Sequence, residues 1–216
     1  MRIAVIGSGQ AGSALAAAWA RAGHDVVIGS RHPESRADVG VPIDTISRAA
    51  AGADVVVNAT PGMESVALLS SQPAGWLDGV VLLDIGNADD GTGTLAYPNG
   101  SLAEELQAAF PRTRVVKGLN TLECTVMVNP RLLPEPTTTF VSGDDVDAKR
   151  AITGLLLDLG WDGSQVLDLG ALGTARATEG LIGMYCALRD SLGTADFNYR
   201  VVRTSGATTP GRTPDA

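Results

Sequence analysis

Short apolar runs recur along the chain at Ile3–Ile6, Val26–Ile28, Asp54–Val57, Val80–Leu83 and Arg114–Lys117. Each is bounded by glycine or small polar residues, as buried strands of a parallel sheet are. Helical periodicity fills the gaps between them. Gln10–Ala22 is rich in small residues and places Leu15 and Trp19 four apart, on one face. Asp44–Ala51 and Met63–Ser70 read as further helices. Another opens at Ser101, with Glu104 three residues on as in a capping box, and ends near Phe110-Pro111. Asp84–Gly100, with its glycines and aspartates, is the longest irregular stretch and reads as a solvated or lid-like loop. Beyond it, Thr137–Ser142 is strand-like. A helix starting at Asp144 or Asp145 puts Ile152, Leu155, Leu156 and Leu159 on one face, and Gln165–Leu169 follows as a short strand. Thr174–Leu192 reads as one helix or two, and Phe197–Val202 as a last strand.

The alternation of strand and helix predicts an α/β fold, a Rossmann-like doubly wound, mostly parallel sheet with a small C-terminal helical extension. The expected division is residues 1–143, a nucleotide-binding domain; residues 144–203, a C-terminal α/β extension completing the active-site cleft; and residues 204–216, a polar tail. The chemistry begins at the first turn. Gly7-Ser8-Gly9-Gln10-Ala11-Gly12 fits G-x-G-x-x-G between strand and helix. There Gly7 allows a tight turn, Gly9 lets a pyrophosphate approach the backbone, and Gly12 lets helix and strand pack closely. The helix N-terminus beside them offers unpaired N–H groups and the positive end of its dipole to phosphate.

The end of the second strand discriminates between dinucleotides. An NAD site places Asp or Glu here to accept from the ribose 2′-OH. This chain has Ser30-Arg31-His32 and no acid before Glu34. A hydroxyl and a guanidinium bind a 2′-phosphate that a carboxylate would repel, so NADP(H) is the expected cofactor. His32 and Arg36 are candidates to add positive charge. At later strand ends, Thr60-Pro61, Asn87 and Asn120-Thr121 are candidates to line the ribose and nicotinamide. His24, before the second strand, reads as a solvated turn residue.

Composition excludes other classes. The net charge of −8, from 16 basic and 24 acidic residues, argues against nucleic-acid or anionic-membrane partners. No apolar run reaches the ~18 residues of a membrane span, and the opening residues do not form a signal peptide. Two cysteines and two histidines give no disulfide framework and no metal-ligand spacing. The expected setting is a reducing cytoplasm.

Four segments are similar to the family of F420-dependent NADP oxidoreductases, which itself resembles the cytoplasmic oxidoreductase domain of six-transmembrane metalloreductases. They are MRIAVIGSGQAGSAL; GHDVVIGSR; VVKGLNTLECTVMVNP; and VSGDDVDAK with LDLGALGTARATEG. The resemblance implies direct hydride transfer between NADP(H) and coenzyme F420 or another flavin, and a homodimer. It also implies that Gly7–Gly12 cradle the pyrophosphate, Ser30 and Arg31 the 2′-phosphate, and Thr60–Pro61 with Asn120–Thr121 the nicotinamide. The sequence departs from the archaeal members on the acceptor side. Asn120 stands where they carry a histidine, and the 84–100 loop is unlike theirs.

Two other readings remain open at this level. One is an NADPH-dependent reductase of a small imine or carbonyl compound, which would need a proton donor. Lys117, Glu123, Tyr97, Tyr185 and Glu179 are the available groups, and none stands out as a general acid. The other is a protein that senses NADP(H) without turnover.

Overall fold

The computed structural model describes residues 1–35 and 40–204. Arg36 and all of the polar tail except Thr204 lie outside the described residues.

Eight strands form one sheet: β1 (Arg2–Ile6), β2 (Asp25–Ser30), β3 (Ile43–Thr45), β4 (Val55–Asn58), β5 (Val81–Asp84), β6 (Arg114–Gly118), β7 (Thr139–Gly143) and β8 (Val166–Asp168). Their order across the sheet is β3-β2-β1-β4-β5-β6-β7-β8. The first six pair in parallel, β7 runs antiparallel to β6, and β8 runs parallel to β7. The chain winds outward one way from β1 to β3 and then restarts at β4 on the other side of β1. That reversal is the switch point at which open α/β sheets bind ligands, just beyond the strands' carboxyl ends.

The helices cover both faces: α1 (Gln10–Arg21), α2 (Ile46–Ala50), α3 (Gly62–Ser70), α4 (Leu102–Ala109), α5 (Cys124–Val128), α6 (Val146–Asp158), α7 (Ala175–Glu179) and α8 (Ile182–Leu192). Side chains of a strand alternate between its two faces, so each apolar strand feeds two cores. Ile3, Val5, Val55, Val57 and Leu83 pack with α1, α5 and α6. Ala4, Ile6, Val56 and Leu82 pack with α2, α3 and α4. Two indoles tie the first layer together. Trp19 donates to the Leu155 carbonyl of α6 at 3.0 Å, and Trp161, just after α6, donates to the Met127 carbonyl of α5 at 3.0 Å.

Several elements differ from the sequence expectation. Residues 43–45 form an edge strand before the helix that the periodicity begins at Asp44, because Ile43 extends the ladder from Ile28. Thr174–Leu192, expected as one helix or two, is two, α7 and α8, broken around Gly180-Leu181. Phe197–Val202 is not a strand. It crosses the start of β7, held by Thr138 N–H donating to the Tyr199 carbonyl and Val201 N–H donating to Thr138 Oγ1. Asp84 belongs to the end of β5 and is fully buried, not part of a solvated loop. His24 is held by Asp158, with Nε2 and Oδ2 3.0 Å apart, and its side chain is largely shielded.

Candidate active-site cleft

At the β1–β4 switch point lies a cleft of about 380 Å³. Gly7, Ser8, Gly9, Gln10 and Ala11 line its floor, Ser30 and Arg31 one side, and Thr60 and Pro61 the other. Turns at the ends of β1, β2 and β4 thus converge, although their residues are up to fifty-odd positions apart in sequence.

The local geometry suits a pyrophosphate. Gly7 adopts φ +117°, open to glycine but not to other residues, and a Cβ there would meet the Ala59 carbonyl oxygen at 2.3 Å. A Cβ on Gly12 would meet the Gly7 carbonyl oxygen at 2.0 Å, so β1 and α1 pack as closely as they do only because that atom is missing. A Cβ on Gly9, by contrast, would meet nothing within 4 Å and would project into open space. Gly9 is the N-cap of α1 and supplies no side-chain cap, which leaves the first-turn N–H groups to a ligand. A dinucleotide's phosphates fit this cradle.

A second cleft of about 280 Å³ adjoins the first, since Gln10 and Ala11 line both. Asn87, Asn120, Glu123 and Cys124 line it from the sheet edge, and Ile182 and Tyr185 of α8 line it from the C-terminal segment. The two asparagines exchange bonds. Asn87 Nδ2 donates to the Asn120 carbonyl at 2.8 Å, and Asn120 Nδ2 donates to Asn87 Oδ1 at 2.9 Å. Leu119, immediately before Asn120, is buried with φ +61°, the single non-glycine residue with positive φ among those described. Such backbone costs about 1–3 kcal/mol and persists where its surroundings enforce it. Here it turns the chain off β6 so that Asn120 faces the cleft.

The remaining candidates fall outside both cavities. Thr121 is buried and lines neither of them. His32 points outward, with its ring nitrogen 3.8 Å from Glu34 and its main-chain N–H donating to Ser30 Oγ at 3.2 Å.

Beneath the clefts runs a polar network that sequence reasoning missed. Lys117 of β6, fully buried, donates to Asp84 Oδ2 at 2.8 Å, to Glu179 Oε1 at 2.6 Å and to the Gly86 carbonyl. Asp84 Oδ1 accepts from Asn58 Nδ2 at 2.9 Å. Asn58 Oδ1 accepts from the Thr60 hydroxyl at 2.6 Å, and Thr60 lines the first cleft. Glu179 Oε2 accepts from the N–H of Leu102, satisfying the start of α4 and meeting the positive end of its dipole. Burial pushes the Glu179 carboxyl above its ordinary range, and the adjacent ammonium only partly opposes this. The network fixes the Thr60 turn to the sheet and, through Glu179, fixes the segment that carries α8. The sequence clues were slight: a lysine closing the apolar run Val115-Val116 and an aspartate ending Leu82-Leu83.

Titration in the second cleft has a clear pattern. Burial raises the Cys124 thiol to about 11, reinforced by the Glu123 carboxylate. Burial and a hydrogen bond to Glu123 at 3.0 Å push the Tyr185 phenol well above its ordinary value. Burial alone would raise Glu123, but bonds from Cys124 and Tyr185 outweigh it and hold the carboxyl below its usual range.

Switch-point cleft, glycine cradle and strand order together define a dinucleotide-binding α/β protein of Rossmann type. The family described as NADP oxidoreductase, coenzyme F420-dependent, matches residues 2–88. The F420-dependent NADP reductase of Methanothermobacter thermautotrophicus is 30% identical over 203 residues, covering 83% of this chain and 85% of that protein. The chain belongs to this family of NADP-dependent oxidoreductases. A crystal structure of a candidate F420-dependent NADP reductase from Arthrobacter sp. FB24 superposes with a TM-score of 0.88 at 39% identity, covering 94% of this chain and all of that one. Metalloreductase STEAP3 of Rattus norvegicus is 27% identical over 183 residues, but the chain spans only 36% of that protein's length. No helix among the described residues is long and apolar enough to cross a membrane.

Proposed function

We propose that the chain passes hydride directly between NADP(H) in the first cleft and a deazaflavin, coenzyme F420, or a related flavin in the second. When bound, the nicotinamide supplies the hydride chemistry. The protein's part is to hold two rings together and exclude water. Gly9 and the α1 N-terminus take the pyrophosphate, Ser30 and Arg31 take the 2′-phosphate, and the Thr60-Pro61 turn bounds the cleft on its other side. The paired Asn87 and Asn120 amides and Tyr185 of α8 orient the acceptor ring.

The observation that carries this reading is the junction of the two clefts: Gln10 and Ala11 line both, so a ring held by Asn87, Asn120 and Tyr185 sits beside a dinucleotide in the first. The direction of titration in the second cleft agrees with it. A general acid works best with a pKa near the working pH. Among the titratable residues lining the second cleft, Glu123 is displaced downward, while Cys124 and Tyr185 are displaced upward. That disfavours reduction of a carbonyl or imine, which needs a positioned proton donor, and suits a flavin or deazaflavin ring, which delocalises the charge brought by the hydride and draws its balancing proton from solvent. The same reading takes the acceptor to be a small molecule and the enzyme to be a homodimer. Met184 and Leu192, exposed apolar residues of α8, support the second point.

The test mixes purified protein with NADPH and oxidised F420 and follows both absorbances. Stoichiometric loss of the two bands is expected. NADPH oxidation by a small imine or ketone but not by F420 would overturn the assignment. Arg31→Ala should weaken NADPH roughly tenfold or more, because it removes a charge-assisted phosphate contact, and leave NADH nearly unchanged.

A further inference from the structure

Arg31 and Glu64 meet across the mouth of the first cleft. Arg31 follows the last residue of β2, on one side of the cleft, while α3 forms part of the other. Pro61 and Leu68 both line that second side. Glu64 lies between them at helical spacing, three residues after one and four before the other, so it shares their face. Its Oε2 is 3.4 Å from Arg31 Nη1. The side chains are 55% and 54% exposed, which makes this a weak, solvent-screened pair that opens easily. Glu64 is also in the first turn of α3, where the helix dipole favours a carboxylate.

We infer that Glu64 is a specificity-determining residue that competes with the 2′-phosphate of NADP(H) for the Arg31 guanidinium. The inference rests on the assignment of Arg31 to that phosphate. With the cleft empty, Glu64 holds Arg31 across the mouth and satisfies its charge. A phosphate entering beside Ser30 must draw the guanidinium away and then sit near a carboxylate of like sign. Glu64 therefore lowers the affinity for NADP(H) below what Ser30 and Arg31 alone would give, and speeds its release. NAD(H), with a neutral 2′-hydroxyl, makes no such demand.

Isothermal titration of the purified protein with NADP⁺, NAD⁺ and adenosine 2′,5′-bisphosphate tests this in the wild type, Glu64→Gln and Arg31→Ala. Glu64→Gln should bind NADP⁺ and the bisphosphate about 2- to 5-fold more tightly, the gain expected from removing one screened charge interaction, and bind NAD⁺ as wild type does to within about 1.5-fold. Added salt should narrow the gap between wild type and variant. Unchanged or weaker NADP⁺ binding by Glu64→Gln, with Arg31→Ala still selectively impaired for NADP⁺, overturns the competition and leaves the phosphate assignment standing. Equal losses of NADP⁺ and NAD⁺ in Arg31→Ala overturn the phosphate assignment itself. Equal gains for both dinucleotides in Glu64→Gln also overturn the competition, since they would point to access and not to the phosphate.

Discussion

Replacing Lys117 by Met is the most searching perturbation of the buried network. The side chains of Lys117, Asp84 and Glu179 are 1%, 0% and 1% exposed. Methionine fills similar volume but leaves two carboxylates in the interior without their cation. Breaking a buried pair in this way costs about 3–5 kcal/mol. For a chain of this size each kcal/mol lowers the melting temperature by about 2–4 °C, so the loss is roughly 6–20 °C. The pH dependence gives the sharper signature. Glu179 already titrates above its ordinary range, and losing the ammonium raises it further. A group whose folded pKa lies above its unfolded one contributes stability below the unfolded value, and that contribution disappears as pH rises through the folded value. The deficit of Lys117→Met relative to wild type should therefore be smallest near pH 5 and grow toward pH 8. Urea unfolding followed by circular dichroism at both pH values measures it. A deficit below about 1 kcal/mol, or one that does not change with pH, would refute the view that Lys117 is the counter-ion of both carboxylates.

Three further outcomes are expected. Gly9→Ala should fold with a loss of no more than about 1–2 kcal/mol, that of the N-cap preference, since its Cβ meets nothing, yet lose at least tenfold in dinucleotide affinity by titration; Gly12→Ala, which must displace the Gly7 carbonyl, should instead fail in thermal melts. Tyr185→Phe should raise the KM for F420 while changing kcat less than about threefold, whereas loss of a true general acid would cost roughly a hundredfold or more.

Much of the lining of the first cleft was legible in the sequence because it is local. Gly7–Gly12 lie on one turn with strand before and helix after, and Ser30-Arg31 end the next strand. The second cleft and the network beneath it depend on pairings over distance. Asn87 meets Asn120 across 33 positions, and Lys117 meets Glu179 across 62. No local pattern announces such contacts: Lys117 and Glu179 read as two separate groups available as proton donors, with nothing to pair them. Errors in the elements have similar causes. β3 is three residues long and exists because β2 offers it a ladder. Residues 197–202 have strand-like composition but are held at the top of β7 by isolated bonds to Thr138 instead of a register. Glu64 escaped notice because its meaning comes from α3 facing β2.

The two buried indole bonds to main-chain carbonyls bear on how the chain assembles. Trp19 belongs to the first helix, and its acceptor at Leu155 lies 136 residues later, whereas Trp161 reaches back only 34 residues to Met127. Long-range contacts carry the greater loop-closure cost and tend to form late. During refolding of a Trp76→Phe variant, which leaves these two as the chain's tryptophans, their emission should recover in separate phases, Trp161 before Trp19. The later phase marks the moment when the first and last thirds of the chain close on each other, timed without any attached dye.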